Sequence, residues 1–185
     1  MHILRRHQFG SNINRYLIFL LFIFSFSFHS TVYSQLSGTY TIGSGGDYTT
    51  INDAITALES SGVSGPVTFN ILNGTYNEQF TINPISGASQ TNTITFQSQS
   101  TNAADVEIWF EPSGSSDNYV VKINGADHIN IKYLTFTNDF ITTSYNRIVV
   151  LESETEDLEF QGNVFNGKEG AGSNLNMIFF IPIIT

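Results

Sequence analysis

From Val67 onward the chain alternates apolar and polar residues in short bursts, and this period-two pattern most constrains what it can fold into. Val67, Phe69 and Ile71 form the first burst, followed by Phe80 and Ile82, Ile94 and Phe96, then Val106, Ile108 and Phe110. Val121 and Ile123, Ile129 and Ile131, Leu134 and Phe136, Ile148 and Val150, and Leu158 and Phe160 continue it. Each burst predicts a short half-buried strand, rich in Ile, Val, Phe and Thr and bounded by Gly, Asn, Ser or Asp. No helical pattern falls between the bursts, which excludes an alternating βαβ fold.

Spacing separates the remaining all-β architectures. Phe69, Phe96, Ile123 and Val150 fall at intervals of 27 residues, and Ile129-x-Ile131-x-x-Leu134-x-Phe136 returns 29 residues later as Leu158-x-Phe160-x-x-Asn163-x-Phe165. Two strands joined by a two-residue bend explain that shape, because the bend resets which parity faces inward. A β-sandwich gives short strands without keeping one motif at near-constant spacing, so the repeat favours a parallel β-helix of about four coils. Asn163 is expected inside the bend, in an Asn ladder.

One segment reads as a helix. Ile51, Ala54, Ile55 and Leu58 recur at helical spacing, Thr50 with Asp53 can form a capping box, and Gly62 can end the segment. A helix over 50–60 would cover the first coil, which otherwise exposes apolar core and unpaired strand edges.

Arg5, Arg6 and Arg15 precede an apolar run from Leu17 to Phe28, then a polar stretch ending Val32-Tyr33-Ser34. This is the pattern of a secretory signal peptide. The run is shorter than the about 20 residues a membrane span needs, and Ser25 and Ser27 interrupt it. The expected organisation is therefore 1–34 signal peptide, 35–66 N-terminal turn and capping helix, 67–172 β-helix coils, and 173–185 an apolar tail. After leader removal no membrane span is expected, and the product is secreted or at the cell surface.

Three of the seven Lys+Arg lie in the leader, leaving Lys122, Lys132, Arg147 and Lys168 against sixteen Asp+Glu. Phosphate binding needs clustered cations, so nucleic acid is not an expected partner. A charge fraction of 12% with sixteen Phe argues against disorder, and the absence of Cys excludes disulfides and thiolate metal sites.

Gly46-Asp47-Tyr48-Thr49-Thr50-Ile51, Asp53-Ala54-Ile55 and Gly74-Thr75-Tyr76-Asn77-Glu78-Gln79 resemble the opening of the pectinesterase-like proteins, in the pectin-lyase-like group of right-handed parallel β-helices. The resemblance is good over residues 44–82 and looser through 167. It implies a right-handed β-helix and, for the family's esterases, two Gln, two Asp and an Arg at the reaction centre. Carried over residue by residue, that set does not match. Leu134-Thr135-Phe136-Thr137-Asn138 is similar to the strand before the first Gln, yet Asn146 and Arg147 stand where that Gln is expected. Lys168 and Glu169 stand near the place of the second, and Asp139-Phe140-Ile141 only mimics the start of the Asp motif before Thr142 departs from it.

Trp109 has the opposite parity to Ile108 and Phe110, so it is expected to point outward as a ligand contact. Phe110, Tyr119, Tyr133 and Tyr145 would join it only if they share its face, and strand aromatics more often serve the core. Arg147, the one Arg after the leader, suits a carboxylate-bearing sugar polymer or a nearby Glu. Glu152, Glu154 and Glu156 share one parity and are read as a solvated face, with Ca²⁺ as the alternative; no other cofactor is expected. His128 reads as a turn residue, since Asp127 beside it should point to the opposite face. Met177 to Ile184 is an uninterrupted apolar run containing Pro182, which suggests a truncated or frame-shifted end.

These readings converge on an exported β-helix module, non-catalytic as it stands, that binds polysaccharide or serves as cell-surface structure. The alternative is the N-terminal fragment of a pectinesterase- or lyase-like carbohydrate-active enzyme whose catalytic residues lie beyond residue 185.

Overall fold

The computed structural model describes residues 34–138, 147–167 and the backbone of 179–180. The leader through residue 33, Asp139-Phe140-Ile141, Tyr145, Asn146, Lys168, Glu169 and the rest of the apolar tail lie outside the described residues. In chain order the elements are β1 (Leu36–Ile42), α1 (Ile51–Ser61), β2 (Val63–Ile71), β3 (Gly74–Asn77), β4 (Phe80–Ile82), β5 (Ile94–Ser98), a 3-10 turn (Ala103–Asp105) and β6 (Val106–Trp109). They continue as β7 (Val121–Asn124), β8 (Ile129–Lys132), β9 (Thr135–Asn138), β10 (Val149–Glu152), β11 (Glu159–Gln161), β12 (Val164–Gly167) and β13 (Phe179–Phe180).

The strands wind through three parallel sheets in rotation. Sheet A has the order β1-β2-β5-β8-β11, sheet B β12-β9-β6-β3 and sheet C β13-β10-β7-β4. Each successive A-B-C triplet from β2 onward is one coil, giving four coils of a parallel β-helix. Because every coil places its strands above those of the last, like side chains stack in columns. Phe69 stacks on Phe96 at 4.9 Å between ring centroids and 21° between planes, and Phe136 on Phe165 at 5.7 Å and 13°. Ile108 continues the inward column of sheet B between Tyr76 and Phe136. Full burial of each such side chain contributes about 1.5–3 kcal/mol.

The 29-residue motif holds in full: Ile131 pairs with Phe160 and Phe136 with Phe165. Tyr133-Leu134 and Gly162-Asn163 are the two-residue bends, with Tyr133 at φ 54° and Gly162 at φ 63°. The 27-residue series holds only for its first step. Phe96 stacks next on Ile131 in sheet A, whereas Ile123 and Val150 belong to sheet C. The loops explain this: paired residues sit 27 apart between coils one and two of sheet A, but 35 apart between coils two and three. Inward parity in β10 is also shifted by one, since Val149 and Leu151, not Ile148 and Val150, pair with Val121 and Ile123.

Asn163 sits in its bend but makes no ladder. Its side chain bonds back to the coil below, accepting from the Leu134 N–H at 2.9 Å and donating to the Ile131 carbonyl at 2.7 Å. The stacking position below it is occupied by buried Leu134.

Two strand starts differ from the sequence reading. β1 precedes the helix, its Leu36-x-Gly38-x-Tyr40-x-Ile42 alternation weakened by the glycine. β2 begins at Val63 and contains Pro66; the β1–β2 register shifts between Leu36 and Gly38, and this irregularity accommodates a residue that cannot donate to the ladder.

The helix forms as its spacing predicts, burying Ile51, Ala54, Ile55 and Leu58. Its N-terminus has no orphan donor. The Thr50 Oγ1 accepts from Asp53 N–H at 3.0 Å, the Thr50 carbonyl accepts from Ala54 N–H at 3.3 Å, and Glu78 takes the N–H groups of Ile51 and Asn52. Gly62 closes the helix at φ 68°, donating to the Leu58 carbonyl.

Candidate functional site

The residues that carry the family resemblance are engaged in holding the entrance of the fold together. Asp47 accepts from the Thr41 N–H at 2.7 Å and the Thr41 hydroxyl at 2.8 Å, closing the Gly43–Asp47 turn. These bonds, the backbone one first, hold its carboxyl below the ordinary value. The Tyr76 hydroxyl donates to the Leu72 carbonyl at 2.7 Å, and burial pushes its phenol up.

The outward side of sheet C gathers the most varied chemistry. Register places Thr81 beside Lys122 and Asn124 beside Glu152. Lys122 Nζ stands 3.2 Å from Glu152 Oε1 and 4.5 Å from the centre of the Tyr119 ring, a cation held between a carboxylate and an aromatic face. The Tyr119 hydroxyl lies 3.2 Å from Thr81 Oγ1. Along one margin runs a chain of side-chain bonds from coil to coil. Asn83 Nδ2 donates to Glu59 of the helix at 2.8 Å, Asn124 Nδ2 to Asn83 Oδ1 at 2.9 Å, and Ser153 Oγ to Asn124 Oδ1 at 3.1 Å.

The 110–120 loop presents Tyr119. Asp117 ties its turn by accepting from Ser113 N–H and Oγ, each at 2.8 Å, and from Gly114 N–H at 2.7 Å. The Ser113 backbone bond is the main reason its carboxyl lies below the ordinary value. Gln79 Nε2 then donates to the carbonyls of Asp117 and Tyr119 at 2.7 and 2.8 Å. Sequence patterning did not single out Lys122, Thr81, Asn83 or Asn124; their shared face follows only from a register that spans 41 residues.

The residues singled out from sequence are distributed differently. Trp109 points outward as its parity requires, half-buried at the end of β6 in sheet B. Arg147 stands before β10; its N–H donates to Asn118 Oδ1 at 3.0 Å and its carbonyl accepts from Asn138 Nδ2 at 2.9 Å. The two therefore occupy different sheets and do not build one site from a single face. Tyr133 forms a bend and Phe110 packs against the core.

Glu152, Glu154 and Glu156 do not continue one strand face. Ser153 at φ 63° breaks the alternation after Glu152, leaving Glu154 and Glu156 exposed in the following turn. Among the described residues no group of three or more His, Asp or Glu stands together to hold a metal ion. His128 is a turn residue at φ 59°. Its Nδ1 lies 3.0 Å from Asp157 of the next coil, while Asp127 accepts from Glu156 N–H.

No protein-family profile matches the chain. Proteins named probable pectinesterase A from Aspergillus flavus and Aspergillus oryzae are each 32% identical over 138 residues, covering 72% of this chain and 41% of their own length. The chain thus spans less than half the length of the curated relatives it matches. The crystal structure of Aspergillus niger pectin methylesterase in deglycosylated form superposes with a TM-score of 0.52 at 20% identity, covering 72% of this chain and 48% of that one. A less fully deglycosylated form gives 0.53 at 22% identity, with 72% and 46% covered. The chain has a pectinesterase-like fold, a right-handed parallel β-helix.

Proposed function

We propose that this pectinesterase-like β-helix is an exported module that binds polysaccharide on its outer faces and carries no esterase centre in its described coils. The observation that supports it best is the way its carboxylates are committed. Glu78 caps the helix, Asp47 and Asp117 close turns, Glu59 holds Asn83, and Glu152 and Glu159 pair with Lys122 and Lys132 at 3.2 and 2.8 Å. Asp157 faces His128, and Asp127 holds the Glu156 N–H. A nucleophile or general acid needs a carboxyl aimed at substrate with a perturbed proton affinity, and these groups are instead parts of the frame.

What faces outward on sheet C is suited to sugar hydroxyls: amides at Asn83 and Asn124, hydroxyls at Thr81 and Tyr119, and one ammonium at Lys122. Export is supported by the basic and apolar pattern of residues 5–28, and among the described residues no helix is long and apolar enough to cross a membrane. The relatives' names point to pectin as the first polymer to try.

A second reading makes the chain part of a pectin-acting enzyme, and the 41% coverage of its relatives favours it. Two assays on the secreted product separate the readings. Retardation in gels cast with pectin and other plant polysaccharides, with no methanol or unsaturated sugar released from pectin, is the expected result. Release of either product would replace the binding reading by the enzymatic one, and migration unchanged by every polymer would remove it.

A further inference from the structure

We infer that the outer face of sheet B is a sugar-binding strip centred on Trp109, and that it takes uncharged sugar residues in preference to uronates. The inference rests on the polysaccharide-binding reading but names a different face from the sheet C cluster, and the sugar class it accepts.

Register builds the strip. Asn77 pairs with Trp109, Trp109 with Thr137, and Thr137 with Asn166, so four consecutive coils each contribute one outward side chain to a single column. At about 4.8 Å between strands, the column runs about 14 Å across the coils. Asn77 and Asn166 are exposed at its ends, with half-buried Trp109 and Thr137 between them. An indole held against a sheet presents a rigid, wide apolar face with a polar edge, which suits the apolar face of a pyranose ring. Amides on either side supply both donors and acceptors for ring hydroxyls.

The neighbouring column decides the charge. Glu107 lies next to Trp109 on the same face, and the Thr137 hydroxyl donates to its Oε1 at 2.7 Å. Asn166 Nδ2 in turn reaches Thr137 Oγ1 at 3.3 Å, which links the carboxylate to the end of the strip. Among the described residues, the Lys and Arg side chains are Lys122 of sheet C, Lys132 of sheet A and Arg147 before β10, and none belongs to a strand of sheet B. A uronate laid on the strip would meet a carboxylate without a facing cation, whereas a neutral sugar could donate a hydroxyl to it.

Trp109 is the only Trp of the chain, so fluorescence excited selectively at tryptophan reports on this strip alone. The secreted protein is titrated with neutral hexasaccharides (cellohexaose, xylohexaose and 1,4-linked galactohexaose) and with hexagalacturonate. A saturable change in emission with at least one neutral hexamer is expected, with about tenfold weaker binding of hexagalacturonate. By calorimetry Trp109→Ala should weaken the best neutral hexamer about tenfold or more, and Trp109→Phe less than Trp109→Ala. Far-UV melting of each variant reports whether it folds, and if Trp109→Ala does not, the fluorescence titration and Trp109→Phe decide. Silent fluorescence at saturation, undiminished affinity in a folded Trp109→Ala protein, or equal binding of hexagalacturonate overturns the strip. If polymers still retard the protein in gels in that case, only the strip has failed; if none does, the binding reading fails with it.

Discussion

The carboxylate of Glu78 straddles the N-terminus of α1: Oε1 accepts from the Ile51 N–H and Oε2 from the Asn52 N–H, each at 3.1 Å. One side chain of the first coil thus satisfies two helix donors that lie 27 and 26 residues upstream, and its negative charge sits at the positive end of the helix. The Gly-x-Tyr-x-Glu pattern that ends there is a latch between cap and coil.

Removing the latch should loosen the cap. Glu78→Ala is expected to lower stability by about 1–2 kcal/mol, and Glu78→Gln by less, because the amide oxygen still accepts one bond. Urea midpoints for the three proteins check the order; equal midpoints would contradict the latch.

The aromatic column of sheet A should carry more than any surface group. Phe96 is 3% exposed and stacked on Phe69, so Phe96→Ala is expected to cost about 3–5 kcal/mol. Phe160, next but one along the same column, is only half-buried, and Phe160→Ala should cost clearly less. Denaturant unfolding of both variants reads the difference.

Gly162 cannot be replaced without moving Tyr133. A Cβ there would lie 2.6 Å from the Tyr133 ring, and the backbone is at φ 63°. Gly162→Ala is expected to lose about 1–3 kcal/mol. In Tyr133→Ala the clash disappears and the φ strain remains, so Gly162→Ala should cost less in that background, a non-additivity readable in a double-mutant cycle.

Acid should release the Asp117 turn. Its carboxyl titrates below the ordinary 3.8, so the turn contributes its stability above that value and loses it as pH falls from there through the lower, folded-state value. Asp117→Asn should therefore show a flatter fall in melting temperature below that pH than the parent protein, while differing little in shape near neutrality. Identical acid limbs would argue against this assignment.

Lys122 is an exposed-face ion pair, and its loss should matter little to folding. Lys122→Ala is expected to change stability by no more than about 1 kcal/mol, with an effect that shrinks in salt. A clear loss of retardation in a pectin gel, without a shift in melting temperature, would mark Lys122 as a contact of the sheet C face.

Much of the architecture was legible because strand alternation is a local property. Inward parity at Phe69, Ile108 and Phe136, outward parity at Trp109, and the Thr50–Asp53 capping box each depend on residues a few positions apart. The bend pattern repeated at 29 residues was equally local, since Tyr133-Leu134 and Gly162-Asn163 sit in coils of equal length. Where coils differ in length the same method erred, and Ile123 was placed above Phe96 although it lies in another sheet.

By itself the sequence determined the strand content, the capping helix and the winding of successive bursts into stacked coils, because burying one face of each short strand leaves few alternatives. Tertiary structure alone decided which coil neighbours meet across long loops. Lengthening a loop changes its closure entropy only slowly, so the 41 residues between Asn83 and Asn124 carry little information about their pairing. The outward columns that bring Tyr119, Lys122 and Glu152 together, and that align Asn77, Trp109, Thr137 and Asn166, exist only once that register is set.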